Sequence, residues 1–317
     1  MGHRLQAERR HLMENVLSTK DLCKNYGKHR ILKNVNMDIP KGSIFGLVGR
    51  NGAGKTTLMR IITGLAAPTS GTYSIGGVNS SDKKILAVRR RMGSIIESPA
   101  IYKNLSAYDN IKLQYINLGM TTYDTIQDLL ELVELQDTGK KKAGKFSLGM
   151  RQRLGIAIAL CGNPDILVLD EPINGLDPQG IIQMREILLR INHEKHTTIL
   201  ISSHILEELS KLATHYAFIE KGEILQVLSS HELMSKVRKA SRLKTTSTEL
   251  LCPIFDREGI EYKVEDEENI DIYTDITASK IFNLANEAGA EVISINENNE
   301  SLEGYFMNLV AKKDGIS

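Results

Sequence analysis

The sequence has little of what marks a secreted, membrane-spanning or nucleic-acid-binding protein. It holds 3 cysteines in 317 residues, and Cys23, Cys161 and Cys252 form no metal or disulfide pattern, as we expect of a reduced cytosolic protein. Lys+Arg and Asp+Glu number 40 and 39, which gives no bulk attraction to nucleic acid or anionic lipid. The best apolar candidate, Leu154 to Leu169, is interrupted by Asn163-Pro164-Asp165, and no uninterrupted run approaches the roughly 20 residues that span a bilayer.

What the sequence does contain is a phosphate-binding loop directly behind the strand-like run Ser43 to Val48. The loop's glycines allow the backbone to curl without Cβ clashes, so that its N–H groups face phosphates. With a helix that begins at about Lys55, the Lys55 side chain reaches the β- and γ-phosphates and the Thr56 hydroxyl can bind Mg²⁺. A simple glycine turn is the alternative interpretation. The candidate nucleotide-binding residues of the loop are Gly49, Arg50, Asn51, Gly52, Ala53, Gly54, Lys55, Thr56 and Thr57.

A second apolar run ends in two acids. Ile166 to Leu169 is typical of a buried parallel strand, and Asp170 and Glu171 follow it. Ligands of nucleotide-binding α/β sheets lie beyond the carboxyl ends of the strands, so we expect both acids at the phosphates. Asp170 suits a direct or water-mediated contact with Mg²⁺, and Glu171 suits polarising the attacking water. Without the phosphate loop upstream, a strand ended by a solvated acidic turn would be the better interpretation.

Between these two elements lies a second candidate anion site. Ser147 precedes a helical pattern and is a candidate N-cap, with Gly149 close behind it. A helix N-terminus of this composition binds anions through its free N–H groups. Because one nucleotide does not need two clamps on its γ-phosphate, we expect this site to serve the nucleotide held by another subunit.

In their order and spacing these motifs resemble the ATP-binding cassette (ABC) family, the motor subunits of membrane transporters, from about Val16 to about Leu233. The resemblance implies an α/β P-loop NTPase fold of the ABC ATPase type, with a RecA-like core, an antiparallel β lobe and a helical subdomain. It also implies the following roles: Tyr26 stacks on adenine; Ser147, Leu148, Gly149 and Met150 form the signature that contacts the partner's ATP; Asp177 belongs to the D-loop; and Lys55, Glu171 and His204 are catalytic.

The signature departs from the family pattern at two positions. Leu148 stands where the family has its first glycine, and Met150 stands where it has glutamine. Ser147 and Gly149 keep the hydroxyl and the N–H group that would contact phosphate. We therefore expect function to survive.

A larger departure lies at Glu97, where the family usually has a glutamine that touches Mg²⁺ or water. The glutamate adds a carboxylate at the metal, so Glu97 joins Thr56 and Asp170 as a candidate metal ligand. The segment from Glu97 to Tyr102 resembles the cassette subunits of bacitracin and lantibiotic self-protection exporters. The resemblance does not identify the transported compound.

This resemblance implies a motor subunit that dimerises around two ATP-Mg²⁺ and drives export of a substrate, with peptide antibiotics among the candidates. The implied partners are integral membrane permease subunits and a second cassette subunit in a homodimer, with no nucleic acid. The implied location is cytoplasmic, peripheral on the inner face of the membrane. Two alternatives remain open: a nucleotide-binding regulator with weak hydrolysis, and a soluble ABC ATPase without a transport role. The second alternative usually has two cassettes or a long coiled coil, whereas this chain has one cassette and no heptad run.

The organisation along the chain follows from these motifs. Residues 1–12 are basic and lack the apolar segment of a secretory signal, so we interpret them as a leader or a remnant of cloning. Residues 13–238 are predicted to form the ABC ATPase domain. Within it, residues 17–48 carry strands of the antiparallel lobe and residues about 98–160 form the helical subdomain. Residues 239–317 are predicted to form a C-terminal α+β accessory region.

The C-terminal region has an apparent β-α-β-β-α-β order that begins near Leu243 and ends near Ile295, and a final helix follows at Leu302 to Val310. This order predicts a ferredoxin-like module. A packing appendage without a ligand is favoured over a sensor or dimer-contact domain, because no binding motif is found there.

Overall fold

The computed structural model describes residues 14–236, 240–297 and 302–314. The chain divides into two compact units, of which the first ends at Ser230 and the second begins at His231. The predicted leader, residues 1–12, and the predicted boundary between residues 238 and 239 lie outside the described residues. Both stay predictions.

The strands belong to three sheets, one of them in the second unit. In chain order the strands are β1 Asn15–Tyr26, β2 His29–Pro40, β3 Ile44–Val48, β4 Ser70–Ile75, β5 Val78–Asn79, β6 Met92–Ile95, β7 Ile166–Asp170, β8 Thr198–Ser203, β9 His215–Glu220, β10 Glu223–Ser229, β11 Ser241–Thr245, β12 Tyr262–Val264, β13 Asn269–Ile272 and β14 Val292–Glu297.

The helices connect these strands, and none in the described ranges is both long and apolar enough to cross a membrane. In chain order they are α1 Lys55–Ile62, α2 Ile85–Arg89, α3 Ala107–Asn117, α4 Ile126–Leu132, α5 Leu148–Ala159, α6 Pro178–Lys195, α7 Leu206–Ser210, α8 Ser230–Lys236, α9 Thr248–Arg257, α10 Ala278–Ala288 and α11 Leu302–Asp314.

The central sheet of the first unit has six strands in the order β10-β9-β3-β8-β7-β6. All neighbours from β9 to β6 are parallel, and β10 pairs antiparallel with β9. Every residue of β3 and β7 is buried, as is typical of parallel strands that are covered on both faces. Because β3, β8 and β7 are neighbours, the loops that follow them open at the same edge of the sheet.

A second sheet of the first unit is antiparallel, with the order β2-β1-β4-β5. The prediction that residues 17–48 carry the strands of this lobe was wrong for β3, which lies in the central sheet. The physical reason is that β3 is apolar on both faces, which suits the interior of a parallel sheet and not a lobe with one solvated face. Leu32 of the lobe and Phe45 of β3 are fully buried in one hydrophobic core, which joins the two sheets.

Helices α3, α4 and α5 pack against one another in the region where the sequence predicts a helical subdomain. Glu134, just after α4, ties this group to the following helix. One of its carboxylate oxygens lies 3.1 Å from Nη1 of Arg153 on α5, and the other lies 3.3 Å from Nη2 of Arg190 on α6. Arg153 is largely buried, so its guanidinium is held in place.

The second unit contains an antiparallel sheet in the order β12-β13-β11-β14, with helices α9 and α10 in contact. Leu243, Phe255, Ile270 and Ile281 are buried in its own hydrophobic core. The element order is the β-α-β-β-α-β pattern that the sequence predicts, and the strand order is that of a ferredoxin-like module.

Candidate nucleotide site

The phosphate loop runs from the end of β3 into α1, which begins at Lys55 as the sequence predicts. Gly54 has a φ of 110°, and a Cβ there would lie 2.8 Å from Leu32 Cδ2. At Gly49 a Cβ would collide with the backbone carbonyl oxygen of Ile219. Both positions therefore require glycine, which lets the loop curl closely against β9.

The Lys55 side chain lies inside this loop and is 5% exposed. Its Nζ donates hydrogen bonds to the carbonyl oxygens of Gly49, at 2.6 Å, and Arg50, at 3.3 Å. Nζ also lies 3.1 Å from Oε1 of Glu171. The ammonium group is thus fixed at the mouth of the loop, where an anion would bind.

Thr56 and Asp170 meet across the site although 114 residues separate them. The Thr56 hydroxyl donates to Oδ2 of Asp170 at 2.8 Å. Oδ1 of Asp170 accepts a hydrogen bond from Ser202 Oγ at 2.7 Å. Asp170 is 4% exposed, so these two hydroxyl groups satisfy its buried oxygens.

Ser202 is a site residue to which the sequence analysis assigned no role. It is fully buried on β8, and its Oγ also accepts a hydrogen bond from the Glu171 backbone N–H at 2.9 Å. One hydroxyl therefore orients both acids at the end of β7. The sequence signal that points to this role is the pair of polar residues, Ser202 and Ser203, that directly follows the apolar run of β8.

Glu171 is held between two catalytic candidates. Its Oε2 lies 2.8 Å from His204 Nδ1, and its Oε1 faces Lys55 Nζ. Oε1 is buried and accepts no hydrogen bond from the part of the chain that the structure describes, because the contact with Lys55 has ion-pair distance but not hydrogen-bond geometry. This oxygen keeps an unused acceptor position next to the phosphate loop.

A cavity of about 330 Å³ opens above the loop. The Tyr26 ring at the end of β1 lines it, is 45% exposed and has Lys24 Nζ 4.7 Å from its centroid. Both the aromatic ring and the phosphate loop therefore face one space. The lining residues are Tyr26, Ile31, Arg50, Asn51, Gly52, Gly54, Lys55, Thr56, Thr57 and Glu171.

The signature segment lies elsewhere on the first unit. Ser147 is the N-cap of α5, as the sequence predicts, and its Oγ accepts a hydrogen bond from the Met150 N–H at 3.2 Å. Ser147 is exposed and does not line the cavity that contains Lys55. Leu148, at 39% exposure, projects from the same helix start. Ser147 is thus not brought to its own chain's phosphate loop, whereas Leu148 lines a second cavity that shares Glu171 with the first.

Asp177 caps the next long helix. Its Oδ1 accepts a hydrogen bond from the Gly180 N–H at 3.0 Å, and Pro178 occupies the first helical position of α6. The observed role of Asp177 is local. Its D-loop role stays a prediction.

Glu97 lines a second cavity, of about 430 Å³, which shares Glu171 with the first. Its Oε1 lies 2.7 Å from Arg60 Nη2. The structure therefore pairs Glu97 with an arginine, while Thr56 and Asp170 contact each other. The role of Glu97 as a metal ligand stays a prediction.

Taken together, a phosphate loop between a parallel strand and a helix, faced by two acids at the end of another strand of the same sheet, defines a P-loop nucleotide-binding protein. Comparison with known proteins identifies the family within this class. The family model described as ABC transporter matches residues 32–174. The bacitracin transport ATP-binding protein BcrA of Bacillus licheniformis is 39% identical over 303 residues, which cover 94% of this chain and 98% of that protein. The lantibiotic transport ATP-binding protein SrtF of Streptococcus pyogenes is 50% identical over 210 residues, which cover 66% of this chain and 89% of that protein.

Solved structures agree with the fold. The dimeric structure of the bacterial ABC transporter cassette MJ0796 has a TM-score of 0.61 and 26% identity, and the match covers 68% of this chain and 98% of that one. A dimeric post-hydrolysis state of the same cassette, bound to ADP and Pi, has the same TM-score and identity. The chain belongs to the ABC transporter family as an ATP-binding subunit, and it is an ATPase.

Proposed function

We propose that the chain is the motor subunit of an ABC exporter for a peptide antibiotic. It binds ATP with Mg²⁺, dimerises around two ATP molecules and drives transport through separate membrane permease subunits. The observation that carries the proposal is the meeting of Lys55, Glu171 and His204 beside the phosphate loop. By this proposal the protein works in the cytoplasm, peripheral on the inner face of the membrane.

In this proposal the nucleotide lies in the first cavity in one direction. Adenine stacks on the exposed Tyr26 ring, and the phosphates follow the loop to Lys55. Glu171 lies at Lys55, so the γ-phosphate end faces Glu171 and the adenine end faces Tyr26.

The side chains at the loop fit a magnesium ion. Thr56 Oγ1 and Asp170 Oδ2 are 2.8 Å apart, and hydroxyl and carboxylate oxygens are the ligands that Mg²⁺ prefers. In this proposal they hold the ion together with phosphate oxygens and water. When bound, Mg²⁺ neutralises charge on the phosphates.

The protein's own groups then position the attacking water. Oε1 of Glu171 has an unused acceptor position and takes a hydrogen bond from that water, while His204 fixes the carboxylate through Oε2. The Lys55–Glu171 contact opens as the γ-phosphate enters, because the ammonium group binds the phosphate more favourably than a single carboxylate. Lys55 then stabilises the charge that develops on the transferred phosphoryl group.

The second half of each ATP site comes from another copy of the chain. Ser147 is exposed, and it caps a helix of 12 residues whose N-terminus carries the positive end of the helix dipole. In a two-fold dimer, the Ser147 end of one subunit covers the phosphate loop of its partner.

Mixing two inactive variants tests this arrangement. Lys55→Ala and Ser147→Ala are each expected to have little ATPase activity. In the mixed dimer one site combines the intact Lys55 of one chain with the intact Ser147 of the other. With random pairing, half of the dimers are mixed, and each mixed dimer has one complete ATP site of its two. An equimolar mixture is therefore expected to recover about a quarter of the wild-type rate of phosphate release.

The matched control is a mixture of Lys55→Ala with Glu171→Gln. Both changes affect residues that act in the same chain's phosphate loop, so each mixed dimer has one site that lacks Lys55 and one that lacks Glu171. No recovery is expected. Equal activity in both mixtures, or none in the first, would contradict a site shared between subunits.

The class of transported compound is inferred from the similar proteins. The match to the bacitracin transport protein BcrA spans 94% of this chain, whereas the match to SrtF stops after 210 residues. The part of SrtF outside the match is too short for a copy of the C-terminal unit. Because the likeness to the bacitracin transport protein extends over nearly the whole chain, we propose a bacitracin-like peptide as cargo.

Resistance measurements test the cargo. Co-expression of this chain with its permease subunits in a sensitive host is expected to raise the minimal inhibitory concentration of bacitracin severalfold and that of a lantibiotic less. The same pair carrying Glu171→Gln is expected to give no resistance. Protection against the lantibiotic alone would contradict the proposed cargo and leave the motor function intact.

A further inference from the structure

Glu97 and Arg60 form an ion pair between two segments that flank the nucleotide site. Glu97 follows β6 with a φ of 65°, a left-handed conformation that few residues other than glycine adopt. Its Oε1 accepts a charge-assisted hydrogen bond from Arg60 Nη2 at 2.7 Å. The side chains are 59% and 41% exposed, so water screens the pair and its contribution to folding is small. A role in stability does not explain it.

Arg60 lies on the helix that begins with the phosphate-binding residues. Thr56 and Arg60 are four positions apart on α1, and therefore lie on the same face, one turn apart. Thr56 contacts Asp170 at the candidate magnesium position. The Arg60–Glu97 pair thus lies one helical turn behind that position.

Glu97 also lies on the γ-phosphate side of the site. The cavity that it lines shares Glu171 with the nucleotide cavity, and Glu171 lies 3.1 Å from Lys55, where the proposed function places the γ-phosphate. A carboxylate here is close to the most negative part of ATP. Without a positive partner its negative charge would repel the γ-phosphate.

We propose that Arg60 is a positioning residue that neutralises Glu97 and keeps its carboxylate away from the γ-phosphate. This inference rests on the proposed function, since it places ATP in the first cavity. Arg60 explains how a chain with a glutamate at position 97 binds a polyanion beside it. The effect is specific for ATP, because ADP has no γ-phosphate at that end.

Equilibrium binding of fluorescent mant-ATP and mant-ADP, in EDTA and in Mg²⁺, tests the inference. In EDTA, Arg60→Met is expected to weaken mant-ATP binding by about tenfold and mant-ADP binding by no more than about twofold, because the lost charge faces the γ-phosphate. Mg²⁺ is expected to reduce the ATP defect. Arg60→Lys is expected to retain most of the affinity, because it keeps the charge.

The double variant Arg60→Met/Glu97→Gln is expected to restore mant-ATP affinity to within about twofold of wild type, since no unpaired carboxylate remains. Glu97→Gln alone is expected to bind mant-ATP more tightly than wild type, because Arg60 is then free to attract it. Tighter mant-ATP binding in Glu97→Gln, opposite to the weaker binding expected for Arg60→Met, can be measured even if Arg60→Met folds poorly. The matched control is Arg91→Met. It removes an arginine from another exposed ion pair, in which Arg91 Nη2 lies 2.7 Å from Asp165 Oδ1.

Three results would overturn the inference: equal loss of mant-ATP and mant-ADP affinity in Arg60→Met, no recovery in the double variant, or weaker ATP binding in Glu97→Gln. Each would mean that Arg60 does not act on ATP binding by neutralising Glu97. Wild-type protein that binds neither nucleotide would overturn the proposed function itself, and this inference with it.

Discussion

Glu171→Gln is expected to lower ATP hydrolysis by at least about a hundredfold while ATP binding is retained, because the amide has the same shape but cannot accept the water's proton. In wild type the Glu171 side chain lies between Lys55 and His204 and keeps one buried acceptor position unused. The amide also no longer forms an ion pair with Lys55, so that Lys55 is free for the γ-phosphate. Both effects favour an ATP-bound state that does not turn over.

Two measurements check this expectation. Phosphate release gives the rate, and size-exclusion chromatography with ATP and Mg²⁺ gives the oligomeric state. We expect a stable dimer for Glu171→Gln and a monomer for wild type once its ATP is hydrolysed. Glu186→Gln is the control, since Glu186 is exposed on α6. Unchanged turnover in Glu171→Gln would exclude Glu171 as the residue that orients the water.

Lys55→Ala is expected to weaken ATP binding by about a hundredfold or more. The ammonium group is buried and already fixed inside the phosphate loop by the carbonyl oxygens of Gly49 and Arg50. Removing it deletes a charge-assisted contact with the phosphates and leaves the Glu171 carboxylate at the γ-phosphate without its cation. The loss is therefore larger than that of one hydrogen bond.

Equilibrium binding of mant-ATP checks this second expectation, with circular dichroism to confirm folding. Lys33→Ala is the matched control, because Lys33 forms an ion pair with Glu223 at 3.3 Å and does not line the nucleotide cavity. The control is expected to bind mant-ATP like wild type. Wild-type affinity in Lys55→Ala would mean that nucleotide binds elsewhere on the chain.

Much of the fold could be predicted because its signals are local. The start of α1 at Lys55 and the N-cap at Ser147 each depend on residues within one helical turn. The apolar runs at β3 and β7 likewise report burial of the strand itself. The sheet to which β3 belongs is not a local property, and there the prediction failed. Strand neighbours depend on pairing between segments that are distant in the sequence.

The same distinction between local and distant contacts holds for the candidate site. The sequence by itself determined the chemical groups of the site: the phosphate loop, the two acids at the end of β7 and the histidine after β8. Only the tertiary structure decided their partners, such as Ser202 beneath Asp170 and Arg60 beside Glu97, across 32 and 37 residues. The physical reason is that capping and strand patterns depend on near neighbours, whereas the contact of two side chains depends on how parallel strands align at the edge of a sheet.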